Sequence, residues 1–497
     1  MTLLQRIDAL ANERKQAILT AADQIQVDGE TYFVSCEGDD GNDGKTPATA
    51  WKTPQRASLE ALREGDAVLF RRGDVFRGAV RTASGVSYGA YGEGNKPRFY
   101  SWHRNLGCEA LWSPVDDGHH IWRLNEPILD VGTLVFDEGK AHARKLIPSY
   151  RNGRFVCRED EGRSFEMRVE MTSDLDLYWH FDAILTVKPS KGEDFPIPDV
   201  AAKEALGTLY LRCDAGNPGS VFSSIEALAR CNLFQVGSNA NVHIDNLCLK
   251  YCGCHAIAAG GSSVKGLRVT NCEIGWIGGC IQHYCGTDPN YPQGKRGTVT
   301  RYGNGVEIYG GCERYEVSDC YIYQIYDAGI THQVTVDTAP RVMKGIRYEN
   351  NLIEDCVYSI EYFLEKPSEE SASYMEDVEI RGNLLRRSGY GWGQQRHNVD
   401  TPAHIKGWSY VNTAKDFRIC ENIFDRAAYR MLHLVAERPE SCPKLCGNTY
   451  IQALGGALGQ YGANHTAEPP VLPFDAQIEQ TVRHVLGDTD AKVYVLE

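Results

Sequence analysis

Short segments with one pattern of apolar and polar positions recur along this chain. NLCL (246–249), NCEI (271–274), DCYI (319–322), NNLI (350–353), GNLL (382–385), ENIF (421–424) and GNTY (447–450) each end on a large apolar residue. Those residues are Leu249, Ile274, Ile322, Ile353, Leu385, Phe424 and Tyr450. Two places earlier stand Leu247, Cys272, Cys320, Asn351, Asn383, Asn422 and Asn448. Most successive copies lie 25–32 residues apart, with two longer gaps. A column of small or amide side chains repeating once per supersecondary unit suits a parallel β-solenoid. Stacked Asn residues can hydrogen-bond from rung to rung as a ladder.

A second column keeps the same register. Ile257, Ile330, Ile360 and Met431 follow seven or eight residues after Leu249, Ile322, Ile353 and Phe424, and Val306 and Ile405 fit after inserted loops. GLRV (266–269), YEVS (315–318), GIRY (345–348), DVEI (377–380) and DFRI (416–419) supply a third short strand. Three strands per coil predict an all-β fold, a right-handed parallel β-helix. A helical solenoid would need apolar spacings of three and four over a dozen positions, whereas residues 240–450 alternate with period two.

The pattern also divides the chain. Residues 1–30 predict an N-terminal helical cap, with Leu4, Ile7, Leu10, Ala11 and Ile18 on one side. Residues 31–100 read as the first coils. The ladder is lost over 101–235, where LWSPV, HIWRLN, TLVFDEG, LDLYWHF and TLYLRC predict an inserted antiparallel β domain resembling a sandwich. The main β-helix, with a groove for an active site, spans 236–465, and 466–497 reads as a C-terminal cap.

Composition narrows the function. The chain has 497 residues, 42% of them hydrophobic and 24% charged, an ordinary globular balance. A formal charge of −14 argues against nucleic acid as a partner and is mildly unfavourable for a polyanion, although a local basic cleft can override the total. No segment predicts a membrane span. The 17 cysteines are odd in number, and Cys272 and Cys320 stand in the ladder column. Buried free thiols, at most one disulfide and a cytoplasmic location are the expectation. The oligomeric state is left open. No cofactor is expected. Asp39, Asp40, Asn42 and Asp43 carry calcium-type oxygens, but without EF-hand spacing the turn reading is preferred.

Chemistry is expected on the outward side of the second column. Aligning GVEI (305–308), GITH (329–332), SIEY (359–362), HIKG (404–407) and RMLH (430–433) sends Glu307, Thr331, Glu361, Lys406 and Leu432 outward. Rungs are about 4.8 Å apart, so Glu307 and Glu361 are separated by roughly 9–10 Å of backbone. Asp327 enters the rung between them. One outward Glu on a solenoid is ordinarily just solvated, but three acids on one face suit glycosidic bond cleavage, one as acid and one as base or nucleophile. Catalytic candidates are therefore Glu361, Asp327 and Glu307. Substrate-binding candidates are His332, His404, His283, Lys406, Trp392, Tyr284 and His433, with His397, Trp276 and Trp408 nearby. Long loops at 284–303 and 386–403 could wall a pocket.

The opening YFVSCEGDDGNDGKTPATAWKTPQRA resembles the N-terminal signature of many carbohydrate-active β-helix proteins. The interrupted architecture resembles glycoside hydrolase families 120, a β-xylosidase group, and 141. SIEYFLEKP (359–367) is similar to the segment that carries the general acid in the first of these, which implies that role for Glu361. The resemblance also implies a nucleophilic Asp about one coil earlier. That rung reads DAGITHQ, and its only Asp, Asp327, stands four residues before Thr331. The leading expectation is an intracellular glycoside hydrolase acting on short oligosaccharides or glycosides. One alternative is a lyase acting by β-elimination, with Lys406 or a His as base and Arg396, a metal or Arg301 facing a uronate. The other is a non-catalytic carbohydrate-binding solenoid.

Overall fold

The computed structural model describes residues 1–497 except 117, 152–153, 159, 161, 182–183, 188–194, 199–204, 285–298, 336–338, 366–371, 397–401, 409–412, 465–467 and 497. The chain winds as a right-handed parallel β-helix with three strand faces. The groove face consists of β1 (Ile257–Lys265), β2 (Val306–Ser318), β3 (Ala328–Thr335), β4 (Tyr358–Glu365), β5 (Ala403–Gly407), β6 (Arg430–Ala436) and β7 (Ala457–Ala463), each parallel to the next. The repeat segments form the second face, from Cys248–Cys252 to Thr449–Ala453. A third face runs from Arg268–Thr270 through the end of β2 to Lys444–Cys446.

The repeat follows from how the corners are made. Asn271, Asp319, Asn350, Gly382, Glu421 and Gly447 all have positive φ, between 52° and 66°, and each directly precedes a ladder residue. A single left-handed residue turns the chain sharply, which Gly, Asn and Asp do at least cost. The next side chain is thereby aimed inward. Asn351 Nδ2 donates to Asn383 Oδ1 (2.9 Å), Asn383 to Asn422 (2.9 Å) and Asn422 to Asn448 (3.1 Å), and Asn448 donates to Asp488 Oδ2 (2.8 Å). Each Oδ1 also accepts the backbone N–H one rung back, at 3.0 Å for Cys320, Asn351, Asn383 and Asn422. The ladder thus satisfies the polar groups that every corner would otherwise bury.

The helix α1 (Leu3–Leu19) lies along the second face and covers its side instead of closing an open end. Ile7, Ala11 and Ile18 pack on Tyr321, Leu352, Leu384 and Ile451. Arg14 donates to the carbonyls of Asn351 (3.2 Å) and Gly382 (2.8 Å). The outward apolar residues of several rungs give this helix a longer partner surface than a single end coil offers.

The inserted segment forms a five-stranded sheet in the order Arg144–Lys145, Asp176–His180, Thr208–Arg212, Ile121–Leu124, Trp112–Asp116. Its pairings are antiparallel except the first. Val131–Phe136 and Ile225–Ala229 pair with each other and extend the second face through Ala229 and Cys252. Trp112, Leu134, Phe136, Trp179 and Leu211 fill a core separate from that of the solenoid.

Cys420 and Cys446 are joined by a disulfide between adjacent rungs, and fourteen other cysteines among the described residues are free. Most of the free thiols are buried, Cys272 and Cys320 among them. Titration of denatured, unreduced protein is expected to reveal at least these fourteen thiols. A markedly lower count would mean that further pairs have formed.

Candidate active site

Side chains alternate between core and groove along each rung of the groove face. The register places Ala258, Glu307, Thr331, Glu361, Lys406, His433 and Gln460 in one outward column. This corrects the sequence alignment at β6. Leu432 pairs with Ile405 and is buried in the core, so His433 holds the outward place beside Lys406. A slip of one residue exchanges the two faces, and burial of Leu432 fixes which register wins.

Three carboxyl groups stand together at the middle of this column. Glu307 is on β2, Glu361 is two rungs away on β4, and Asp327 lies in the corner entering the intervening β3. All three are buried. Each has a different partner. Glu307 is ion-paired with His255 and also accepts from Asn304 and Gln333, both at 3.4 Å. Asp327 is ion-paired with Arg396, whose guanidinium lies over the Tyr358 ring at 5.6 Å. Glu361 accepts a single indole N–H, that of Trp408. Thr331, between the two glutamates, has a buried hydroxyl with no hydrogen-bond partner among the described residues.

These environments drive the acids apart. Burial, and then the Asp327 charge, push the Glu361 carboxyl up to about 8. Burial acts on Glu307 in the same sense, but the His255 imidazolium overrules it and holds Glu307 below the usual carboxylate range. Burial raises Asp327 against the opposing pull of Arg396. Near neutral pH Glu361 keeps its proton, while Glu307 in the same cluster is held ionised by the His255 imidazolium. Separation of neighbouring carboxyls into acid and base is the mark of acid–base catalysis.

Several expected ligands prove to be structural. His332 points inward with Ile308 and Tyr362, stacks on Tyr362 (5.6 Å between ring centroids, 9° between planes) and meets Tyr348 Oη at 2.8 Å. Burial pushes it down to about 3, so it stays neutral. His404 packs against Phe424 at 5.9 Å and is likewise pushed down to about 3 by burial. His332 lies one residue from an outward position, whereas His404 shares the outward parity of Lys406 yet turns inward, and core packing claimed both. Tyr284 is buried in the core of the insert with Tyr150 and Phe155. His283, next to it on the hairpin Cys280–Tyr284/Val299–Tyr302, is exposed and outside the carboxyl cluster. His397 lies outside the described residues.

Other expected residues do gather near the acids. Lys406, one rung from Glu361, has its Nζ 4.2 Å from the Trp408 ring and donates to His433. Burial, then the charges of Lys406 and Arg430, push His433 down to about 2 and keep it a neutral acceptor. His255 and Asn304 were missed. They enter β1 and β2 at matching places, as the pairing of Ile257 with Val306 shows. Corner residues carry no periodicity signal, so only recognising the corner as a column could have found them.

Trp392 and Trp276 line a cavity of about 810 Å³ between the insert and the solenoid. Its solenoid wall also includes Tyr390, Gln395 and Arg396, and its insert wall Arg144, Arg158 and Glu170. Gln395 clips the walls together, accepting from Lys145 N (3.1 Å) and donating to Ala143 O (2.8 Å). Arg396 belongs both to this cavity and to the carboxyl cluster.

Nothing among the described residues groups three metal-ligating side chains. In the 37–53 loop the carboxylates serve turns. Asp39 accepts Gly41 N, Asp40 accepts Lys52 N and Thr53 N, and Asp43 accepts Lys45 N and Thr49 Oγ1. No helix among the described residues is long and apolar enough to cross a membrane.

No family model and no curated protein matches the chain. Among solved structures it is similar to XylC in complex with xylose, at 9% identity and TM-score 0.42, covering 94% of this chain and 82% of that one. A protein described as a glycoside hydrolase gives 11%, 0.43, 86% and 88% in the same order. A family 28 exopolygalacturonase of Yersinia enterocolitica gives 12%, 0.37, 94% and 71%. At this level of likeness the site has to be read from its own residues.

Proposed function

We propose that this protein is a glycoside hydrolase that uses Glu361 as general acid and Asp327 as its partner. The observation that carries the reading is a buried carboxyl held up to about 8, one rung from an Arg-paired carboxylate. A protonated Glu361 can give its proton to the leaving glycosidic oxygen, and Trp408 N–H orients it. Asp327 affects Glu361 more strongly than Glu307 does, which supports the nearer residue as partner. Carboxyls on adjacent rungs suit the roughly 5–5.5 Å spacing of a retaining enzyme, with Asp327 attacking the anomeric carbon. Glu307, two rungs away and locked to His255, is then an electrostatic support. The fourteen free thiols among the described residues favour a reducing, intracellular setting.

The test is a panel of aryl and oligosaccharide glycosides followed by proton NMR. The first product anomer is expected to retain the configuration of the substrate, and turnover is expected to fall as pH rises through about 8, where Glu361 loses its proton. An inverted first product would transfer the partner role to Glu307. Products that absorb in the ultraviolet through a new C=C bond would replace hydrolysis by β-elimination, with Lys406 as the base to test.

A further inference from the structure

Thr331 stands at the centre of the outward column, opposite Glu307 on one neighbouring rung and Glu361 on the other. Its side chain is fully buried, and its Oγ1 has no hydrogen-bond partner among the described residues. A buried hydroxyl without a partner is a cost that a valine of the same shape would avoid. The groove therefore keeps an O–H between two carboxyl groups with no acceptor engaged. The two neighbours differ in what they can still accept. Glu307 already takes donors from His255, Asn304 and Gln333. Among the described residues, Glu361 takes the Trp408 N–H alone. A carboxylate offers about four acceptor sites, so the room is at Glu361.

In the proposed reaction Glu361 gives its proton to the leaving oxygen as the C–O bond breaks. The bonding pair passes to that oxygen, and a buried carboxylate is left behind. This anion has one N–H donor, from Trp408. It faces Asp327 and Glu307 from the rungs before it, Lys406 from the rung after it, and Arg396 from outside the ladder. Asp327 and Glu307 both oppose its formation. We infer that Thr331 is a positioning residue for this acid, whose hydroxyl turns to donate to the Glu361 carboxylate as the charge forms. No proton leaves Thr331 in this step. The move requires rotation about Thr331 χ1 and within the Glu361 side chain, across strands about 4.8 Å apart. Catalytic hydrogen bonds of this kind are often open in an unliganded site and tighten as the reaction proceeds. A hydrogen bond to an ion is about twice as strong as one between neutral groups. The contact therefore favours the state after proton transfer over the state before it, which is what accelerates a step. The inference rests on the hydrolase reading and adds to it the group that stabilises the spent acid.

The test is the pH dependence of kcat/KM and kcat for the unaltered protein, Thr331→Val and Thr331→Ser, on one glycoside with a poor leaving group. Valine keeps the shape and removes the donor. The Glu361 anion is then less stable, so the alkaline limb should move up from about 8 by about one pH unit while the plateau of kcat falls about 10-fold. Thr331→Ser should restore both. Below about pH 7 the valine variant should be at least as stable in urea as the unaltered protein, because the hydroxyl it lacks has no partner while Glu361 holds its proton. Four results overturn the role of Thr331 and leave the hydrolase reading standing: an unmoved limb, a limb that moves down, a serine variant that behaves like valine, or a valine variant clearly less stable below about pH 7. If the unaltered protein cleaves no glycoside, the hydrolase reading fails by itself, and denaturant midpoints decide the Thr331–Glu361 contact. The pH at which the stability gap to Glu361→Gln levels off should then lie about one pH unit higher in the Thr331→Val background. An unchanged levelling point overturns the contact.

Discussion

Glu361→Gln should lower turnover at least about 100-fold on a glycoside with a poor leaving group. The change keeps the side chain's shape and still accepts the Trp408 N–H, but it has no proton to give. A nitrophenyl glycoside needs little protonation, so its first step should be largely preserved and a burst of nitrophenol is expected. Equal behaviour on both substrates would remove Glu361 from the chemistry. The same substitution should stabilise the fold at alkaline pH. Glu361 has a folded-state value of about 8 against an ordinary 4.5, so the native state holds the proton where the unfolded chain has lost it. Its contribution is present below about 4.5 and is lost as pH rises to about 8, at up to about 1.4 kcal/mol per pH unit. The stability gap between Glu361→Gln and the unaltered protein, read from denaturant midpoints, should therefore widen across that window and level off above it. A gap that is independent of pH would mean Glu361 is not protonated in the fold.

The second large effect is on stability. Asn422 is fully buried in the ladder and donates through Nδ2 to the carbonyl of Ile380 (2.9 Å) and to Asn448 Oδ1. Its own Oδ1 accepts from both the backbone and the side chain of Asn383. Asn422→Ala leaves at least two buried donors and a carbonyl unpaired and opens a cavity. A buried polar group without a partner costs about 1–3 kcal/mol, so a total loss of about 3–5 kcal/mol is expected in urea unfolding. A surface control such as Lys415→Ala, on a side chain 73% exposed, should stay within about 0.5 kcal/mol. A loss below about 1 kcal/mol for Asn422→Ala would mean that the ladder amides are replaceable by water.

How much of this was legible in the sequence depended on periodicity. The Asn column, the inward Ile column and the third strands all repeat once per coil, and the structure places each where the repeat puts it. Glu307 and Glu361 were readable for the same reason, because one-in, one-out alternation fixes the face of every residue in a strand. Alternation fails where a strand meets a corner. His404 turns inward although Lys406, two residues on, turns outward. Leu432 and His433 exchange roles because core burial of Leu432 decides the register, a choice that leaves no trace in composition. The partners that tune the acids, His255, Arg396 and Trp408, come from corners and from sequence far from the strand each one serves. No local pattern links Asp327 to a guanidinium sixty-nine residues downstream.

The helix α1 changes how the solenoid comes apart. A stack of coils bound only to nearest neighbours behaves as a one-dimensional array, in which an end coil can peel away without disturbing the rest. Here one rigid rod touches Tyr321, Leu352, Leu384 and Ile451, which belong to different turns of the winding, and its Asp8 pairs with Arg386 between them. Separate coils therefore share one fastening. Fraying at either end must either strip the rod from every turn it spans or stop short of it, and that converts local loosening into an all-or-none event. The turns beneath the rod are the ones that carry Thr331, Glu361 and Lys406, so the groove is held at its middle by a helix on another face of the winding.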